Sequence, residues 1–194
     1  MNAINYHQIA GILAGIITLL AYVLYIRNTA QGKTKPARLS WFIWSWAYIM
    51  QLISYYEVGA GETIWVPIIY TSATIVIALL SIKNGVGGFT TLDKICLTGA
   101  FIGTALWFFA SALLVLIWML FVDIFAVLPS AKYYLDGNFK KDDMVFWTLI
   151  LIGIFINLFA VEKWTFEASI YPIYMLTTGS IIFGSIFWSR YHQT

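Results

Sequence analysis

The sequence predicts an all-α integral membrane protein with seven transmembrane helices, arranged as two parallel three-helix repeats joined by a linker helix. Three observations predict it. Of 194 residues, 61% are hydrophobic and only 10% are charged, against roughly 25% charged in soluble domains. The charges cluster, leaving apolar runs of about 18–22 residues, each long enough to cross roughly 30 Å of hydrocarbon as a helix. The chain also matches itself at an offset of 105 residues: Glu57 falls on Glu162, Glu62 on Glu167, Pro67 on Pro172, Arg27 on Lys132, Gly32 on Gly137 and Lys35 on Lys140. Apolar segments coincide by chance. Three acidic or proline matches between "EVGAGETIWVPI" and "EKWTFEASIYPI" rarely do, and a repeat of this period in an apolar chain implies two homologous membrane halves.

The spans are predicted at 8–26, 39–56, 63–82, 94–110, 112–133, 144–161 and 168–188. The first has no basic region ahead of it and no small-residue cleavage site after it, so it is expected to be a retained helix and not a signal peptide. The second carries Trp41, Trp44, Tyr48, Gln51 and Tyr55 at three- and four-residue spacing, and the third carries Pro67, Tyr70, Thr71 and Thr74. The fourth and fifth share an apolar stretch twice as long as one span, best cut near "FFASA" by a tight turn. The sixth presents Trp147 and Asn157, read as in phase, and the seventh Glu167, Tyr171, Tyr174 and Thr178. Residues 1–90 then form the first triple-helix bundle, 91–111 the linker helix and 112–194 the second bundle. Little is left over for a soluble domain.

Charge gives the topology. With the N-terminus outside and the C-terminus cytoplasmic, ten of the eleven basic residues fall inside and only Lys163 outside, as the positive-inside bias requires. The outer side receives Glu57, Glu62, Glu162 and Glu167. The expected location is a bacterial inner (plasma) membrane. A net charge of +2 reports the cytoplasmic loops and implies no nucleic-acid partner. The lone Cys96 can form no intrachain disulfide. An odd helix between two triplets gives both triplets the same orientation, so the repeat is parallel.

In this layout the chain resembles the superfamily of SWEET sugar transporters, PQ-loop lysosomal transporters, KDEL receptors and nicotinamide riboside importers of the PnuC type. The segments carrying the resemblance are "LAYVLYIRNTAQGKTKPARLSW" and "FAVLPSAKYYLDGNFKKDDMVFW". In the SWEET and PQ-loop branches the first helix of each triplet ends in a Pro–Gln-like kink, followed by a short basic loop. Pro129–Ser130 stands where that kink would be, Lys132 follows at about the family's spacing, and "GKTKPARLS" resembles the basic loop. Leu24–Tyr25 replaces the Pro–Gln pair in the first repeat, and Ser130 replaces its Gln in the second. The resemblance implies the 3+1+3 fold and transport by rocking of the two triplets.

Candidate functional residues follow from polarity inside apolar helices. Asp123 is the only charge away from predicted helix ends. A carboxylate near the middle of a span is expensive and by default functional, as a proton carrier or a partner for substrate, unless it is a neutral acid bracing two helices. Aromatic and hydroxyl groups on shared faces suit a small polar ligand, rings stacking and hydroxyls orienting. The expected pocket is Trp44, Tyr48, Tyr70, Thr74, Asp123, Trp147, Asn157, Tyr174 and Thr178. Trp41, Trp65, Tyr55, Tyr56 and Trp164 lie near helix ends and are assigned to the interfacial aromatic belt. Pro67, Pro129 and Pro172 are candidate hinges, because a proline inside a helix removes one backbone hydrogen bond and kinks it; early in a helix it is a harmless N-terminal residue.

No HExxH, Cys/His cluster, phosphate-cradling glycine loop or Ser-His-Asp set is present, and "GVGG" at 85–88 is a loop between helices. His7 and His192 are expected in the tails. No cofactor, metal or enzymatic activity is expected. The expected function is alternating-access transport of a small polar solute (sugar, vitamin or amino-acid-like), with proton coupling through Asp123. The alternative is a ligand- or peptide-binding receptor of the same fold. The expected partners are that solute and the lipid bilayer, with a second copy of the chain as a further candidate.

Overall fold

A computed structural model describes residues 5–87, 91–137 and 141–192; Lys140 and Gly88, both placed in loops by the sequence, lie outside them. The described residues form seven α-helices and no strand: α1 (Tyr6–Ala30), α2 (Arg38–Glu57), α3 (Trp65–Asn84), α4 (Thr91–Leu106), α5 (Ala112–Leu135), α6 (Lys141–Leu158) and α7 (Phe166–His192). A 3-10 turn, Gly61–Ile64, leads into α3. Four of the segments are long and apolar enough to cross a membrane: Tyr6–Ala30, Gly61–Asn84, Ala112–Leu135 and Phe166–His192. On α1 the large side chains Ile12, Ile16 and Leu20 stand exposed in one row, an apolar face that suits lipid and not water. At 16 residues α4 is shorter than its predicted span, because the chain leaves the helix at 107–110 and Phe108 and Phe109 project outward. The break falls at "FFASA", where Ser111 Oγ caps α5 by accepting from the Leu114 amide.

Helix endings repeat at the same offset as the sequence. Gly32 and Gly137 both take positive φ, 70° and 85°, which a residue without Cβ adopts freely. Each amide bonds three residues back, to Thr29 and Tyr134 carbonyls, and the preceding Gln31 and Asp136 amides bond to Arg27 and Lys132. All four pairs of equivalents are 105 apart.

Successive helices run in opposite directions, as contacts at the two ends show. At one end Asn28 bonds Asp142, Arg38 bonds the Ser81 and Gly85 carbonyls, Ser40 bonds Asp93, and Asn84 bonds the Thr29 carbonyl. At the other end His7 meets the Phe159 carbonyl. His7 therefore sits in the first turn of α1, anchored to the end of α6, and not in a tail. Of the described basic residues, Lys163 alone lies at this second end, close in sequence to Glu162.

α3 packs against both α1 and α2, and α7 against both α5 and α6. The groups meet where α1 crosses α6 and where α2 crosses α5, while α4 lies along α5 and α2. Small residues let the backbones approach, as membrane helices require. At Gly153 of α6 an added Cβ would come within 2.5 Å of Thr18 Oγ1 on α1; at Gly99 of α4 it would meet Val122 of α5 at 2.6 Å.

Candidate functional site

A cavity of about 580 Å³ penetrates the bundle from the basic end. Its mouth is formed by the α1–α2 loop, where Lys33, Lys35 and Ala37 are exposed, together with Tyr133, Tyr134 and Asp143. Its deep end reaches Tyr48, Tyr70, Thr74, Asp123 and Thr178. Seven of the nine residues expected from the sequence line it: Trp44, Tyr48, Tyr70, Thr74, Asp123, Trp147 and Thr178. Tyr174 joins indirectly, its hydroxyl donating to Asp123 Oδ2 at 3.0 Å. Asn157 does not join. It is 1% exposed, with neither polar atom hydrogen-bonded. At 100° per residue, the ten residues separating it from Trp147 turn it about 80° away and carry it roughly 15 Å along α6, so the expected phase match fails.

Asp123 is 6% exposed; its carboxyl accepts from the Tyr174 hydroxyl of α7, and Tyr48 of α2 lines the same cavity. The aromatic wall is continuous. Trp44 meets Trp41 edge-on at 5.1 Å between ring centroids, Trp41 leads to Tyr25 at 5.3 Å, and Tyr25 to Phe146 at 5.4 Å. Phe146 meets Tyr22 at 5.4 Å, Tyr22 meets Tyr70 at 5.1 Å and Tyr70 meets Tyr48 at 5.8 Å. Separations of this size lie within the range that stabilises aromatic pairs.

Tyr22, Trp41 and Phe146 were absent from the expected pocket. The repeat places cavity lining at matching positions in its two halves. Tyr22 and Val127, Tyr25 and Ser130, Trp41 and Phe146, Tyr70 and Met175, and Thr74 and Gly179 are all pairs 105 apart, and every member lines the cavity. Trp41 is thus a wall residue and not part of an interfacial belt: α2 begins at Arg38, so its first turn stands against the mouth. Trp65, Tyr56 and Trp164 are exposed, as belt residues would be.

The second departure from the belt is Tyr55, 0% exposed, which lies on α2 about two turns beyond Tyr48 toward the acidic end. Its ring stacks on Tyr171 at 4.8 Å and 24°. Its hydroxyl donates to the Ala168 carbonyl at 2.7 Å and lies 2.5 Å from Thr63 Oγ1, which itself bonds the Ala60 carbonyl. Thr63 and Ala168 are again 105 apart, and each precedes a proline, Pro67 or Pro172, by four residues. A proline has no N–H to offer the carbonyl four residues back. Pro172 inside α7 therefore leaves the Ala168 carbonyl free for Tyr55. Pro67 sits in the first turn of α3, where a missing N–H disturbs little. The α5 helix continues through position 129, and the side chain of Pro129 lies outside the described residues.

No protein-family model, curated protein or solved structure matches this chain.

Proposed function

We propose that this chain is a membrane transporter of a small polar solute, working by alternating access between two parallel three-helix repeats, α1–α3 and α5–α7, joined by α4. All seven helices span in this reading, with the domains at residues 1–90, 91–111 and 112–194. The basic end is cytoplasmic and the N-terminus external, in a bacterial inner membrane, and the chain has the layout of the SWEET and PQ-loop superfamily.

One observation carries the reading. The cavity is walled by residues 105 apart from both groups of helices, is open at the basic end, and ends at an intramembrane carboxyl beneath the Tyr55–Tyr171 layer. A site between two similar halves, open to one side and shut to the other by a thin barrier, is what alternating access requires. Asp123 is the proton-coupling residue in this reading, since an ionisable group inside a span marks a relay or a substrate contact. Its hydrogen-bond donor is Tyr174, which supplies no compensating positive charge.

The test is uptake into proteoliposomes, with and without an imposed pH gradient, over a panel of sugars, vitamins, amino acids and amines. Saturable uptake of at least one solute, increased by the gradient, is expected. Absence of uptake across the whole panel would overturn the transporter reading and favour a receptor.

A further inference from the structure

The chemistry of the wall at the depth of Asp123 narrows the class of solute. The aliphatic hydroxyls there have already placed their protons: Thr74 donates to the Thr71 carbonyl at 2.9 Å and Thr178 to the Tyr174 carbonyl at 3.0 Å, as Ser130 nearer the mouth does to the Ala126 carbonyl at 2.8 Å. The Tyr174 hydroxyl is committed to Asp123. What the wall offers is lone pairs, one carboxylate and the faces of aromatic rings, with donors from Tyr22, Tyr48, Tyr70 and Trp44. A neutral sugar would leave the charge of the carboxylate unmatched inside the span. An anion would meet a carboxylate, and no basic side chain among the described residues lines the deep end. Lys33 and Lys35 belong to the mouth. Asp123 lies about 18 Å of helix axis inside the Leu135 end of α5, roughly two Debye lengths at physiological salt.

Resting on the transporter reading, we propose that the solute is a small organic cation, an amine or a quaternary ammonium, whose charge sits against Asp123 and the rings of Trp44, Tyr48 and Tyr70. Ring faces carry negative electrostatic potential and attract such cations, more strongly when water is excluded. Acceptor lone pairs suit the N–H groups of an amine, and the carboxylate supplies the counter-charge that its tyrosine partner lacks.

The experiment uses the purified full chain with choline, tetraethylammonium and phenethylamine as cationic probes, 3,3-dimethylbutan-1-ol as the uncharged isostere of choline, and glucose as a neutral polar control. Binding is read by intrinsic tryptophan fluorescence and by the shift in melting temperature, and transport by proteoliposome uptake. At least one cation is expected to bind saturably and about tenfold or more tighter than the neutral isostere, the discrimination expected of a desolvated charge contact. Asp123→Asn should abolish this preference, and Trp44→Leu should weaken cation binding while leaving the melting temperature of the unliganded protein within a few degrees. Equal binding of choline and its isostere, or unchanged choline binding in Asp123→Asn, would overturn the proposal. Uptake of glucose without binding of any cation would also overturn it and leave the transporter reading standing. Asp123-dependent cation binding with no uptake would uphold the cation site and remove transport instead. If no probe binds, the cation proposal fails.

Discussion

At Asp123 the energetic terms are unequal. A charged side chain at the centre of a bilayer costs about 2.5–3.5 kcal/mol on insertion scales, whereas a hydrogen bond between membrane helices contributes about 0.6 kcal/mol on average and about 1.7 at most. The bond from Tyr174 therefore falls short of stabilising an ionised carboxylate unaided, and a proton or a cation must complete the site. Bracing alone would be done as well by an amide. Asp123→Asn is accordingly expected to eliminate gradient-driven accumulation while lowering stability by about 1 kcal/mol or less, which is about 2–4 °C for a chain of this length. Uptake against pH in proteoliposomes, paired with a melting curve in detergent, checks both. A lowered melting temperature with unchanged pH dependence would mean that the residue only braces the helices.

Two contacts between elements set what can move. The α1–α6 crossing is close, since Gly153 leaves no room for a side chain beside Thr18. The equivalent α2–α5 crossing carries Tyr48 and Asp123 at those same repeat positions and opens into the cavity. Gly153→Leu is expected to force α1 and α6 apart and to destabilise the protein by about 1–3 kcal/mol. Gly184→Ala on α7, with nothing within 4 Å of the added Cβ, should be neutral or slightly stabilising, because alanine is the better helix former by up to about 1 kcal/mol. Thermal unfolding of the two variants side by side checks the pair. The latch at the acidic end belongs to the same scale. Tyr55→Phe keeps the ring on Tyr171 but removes the donor that the Ala168 carbonyl uses, so a stability loss of about 1 kcal/mol is expected. A cysteine at Gln51, buried above the cavity, should then react faster with an impermeant thiol reagent applied from the acidic side, in a Cys96→Ala background. Unchanged reactivity would remove the latch from the gating scheme.

For the whole molecule the testable quantity is orientation. With the basic end cytoplasmic, a cysteine at Gly61 should label from outside intact cells and one at Lys35 should not; the reverse pattern would invert the protein. Much of this scale was legible in the sequence, because hydropathy and charge act along a helix axis and need no neighbour to be read. The all-helical class, the break at "FFASA", the separation of basic and acidic ends and the 105-residue offset all depend on order along the chain. Rotation of each helix about its own axis does not. Trp and Tyr are suited equally to a headgroup layer and to a polar cavity, so position near a helix end could not tell the buried Trp41 and Tyr55 from the exposed Tyr56 and Trp164. Asn157 looked like pocket lining until the turn of α6 carried it off that face. Nothing in the order of residues marks Tyr22 and Phe146, which meet at 5.4 Å only because α1 and α6 pack together. The sequence by itself determined which segments are helices, their ends to within a few residues, and which end carries positive charge. Only the tertiary structure decided which faces meet, because that depends on where small residues let two backbones approach and where large ones hold them apart.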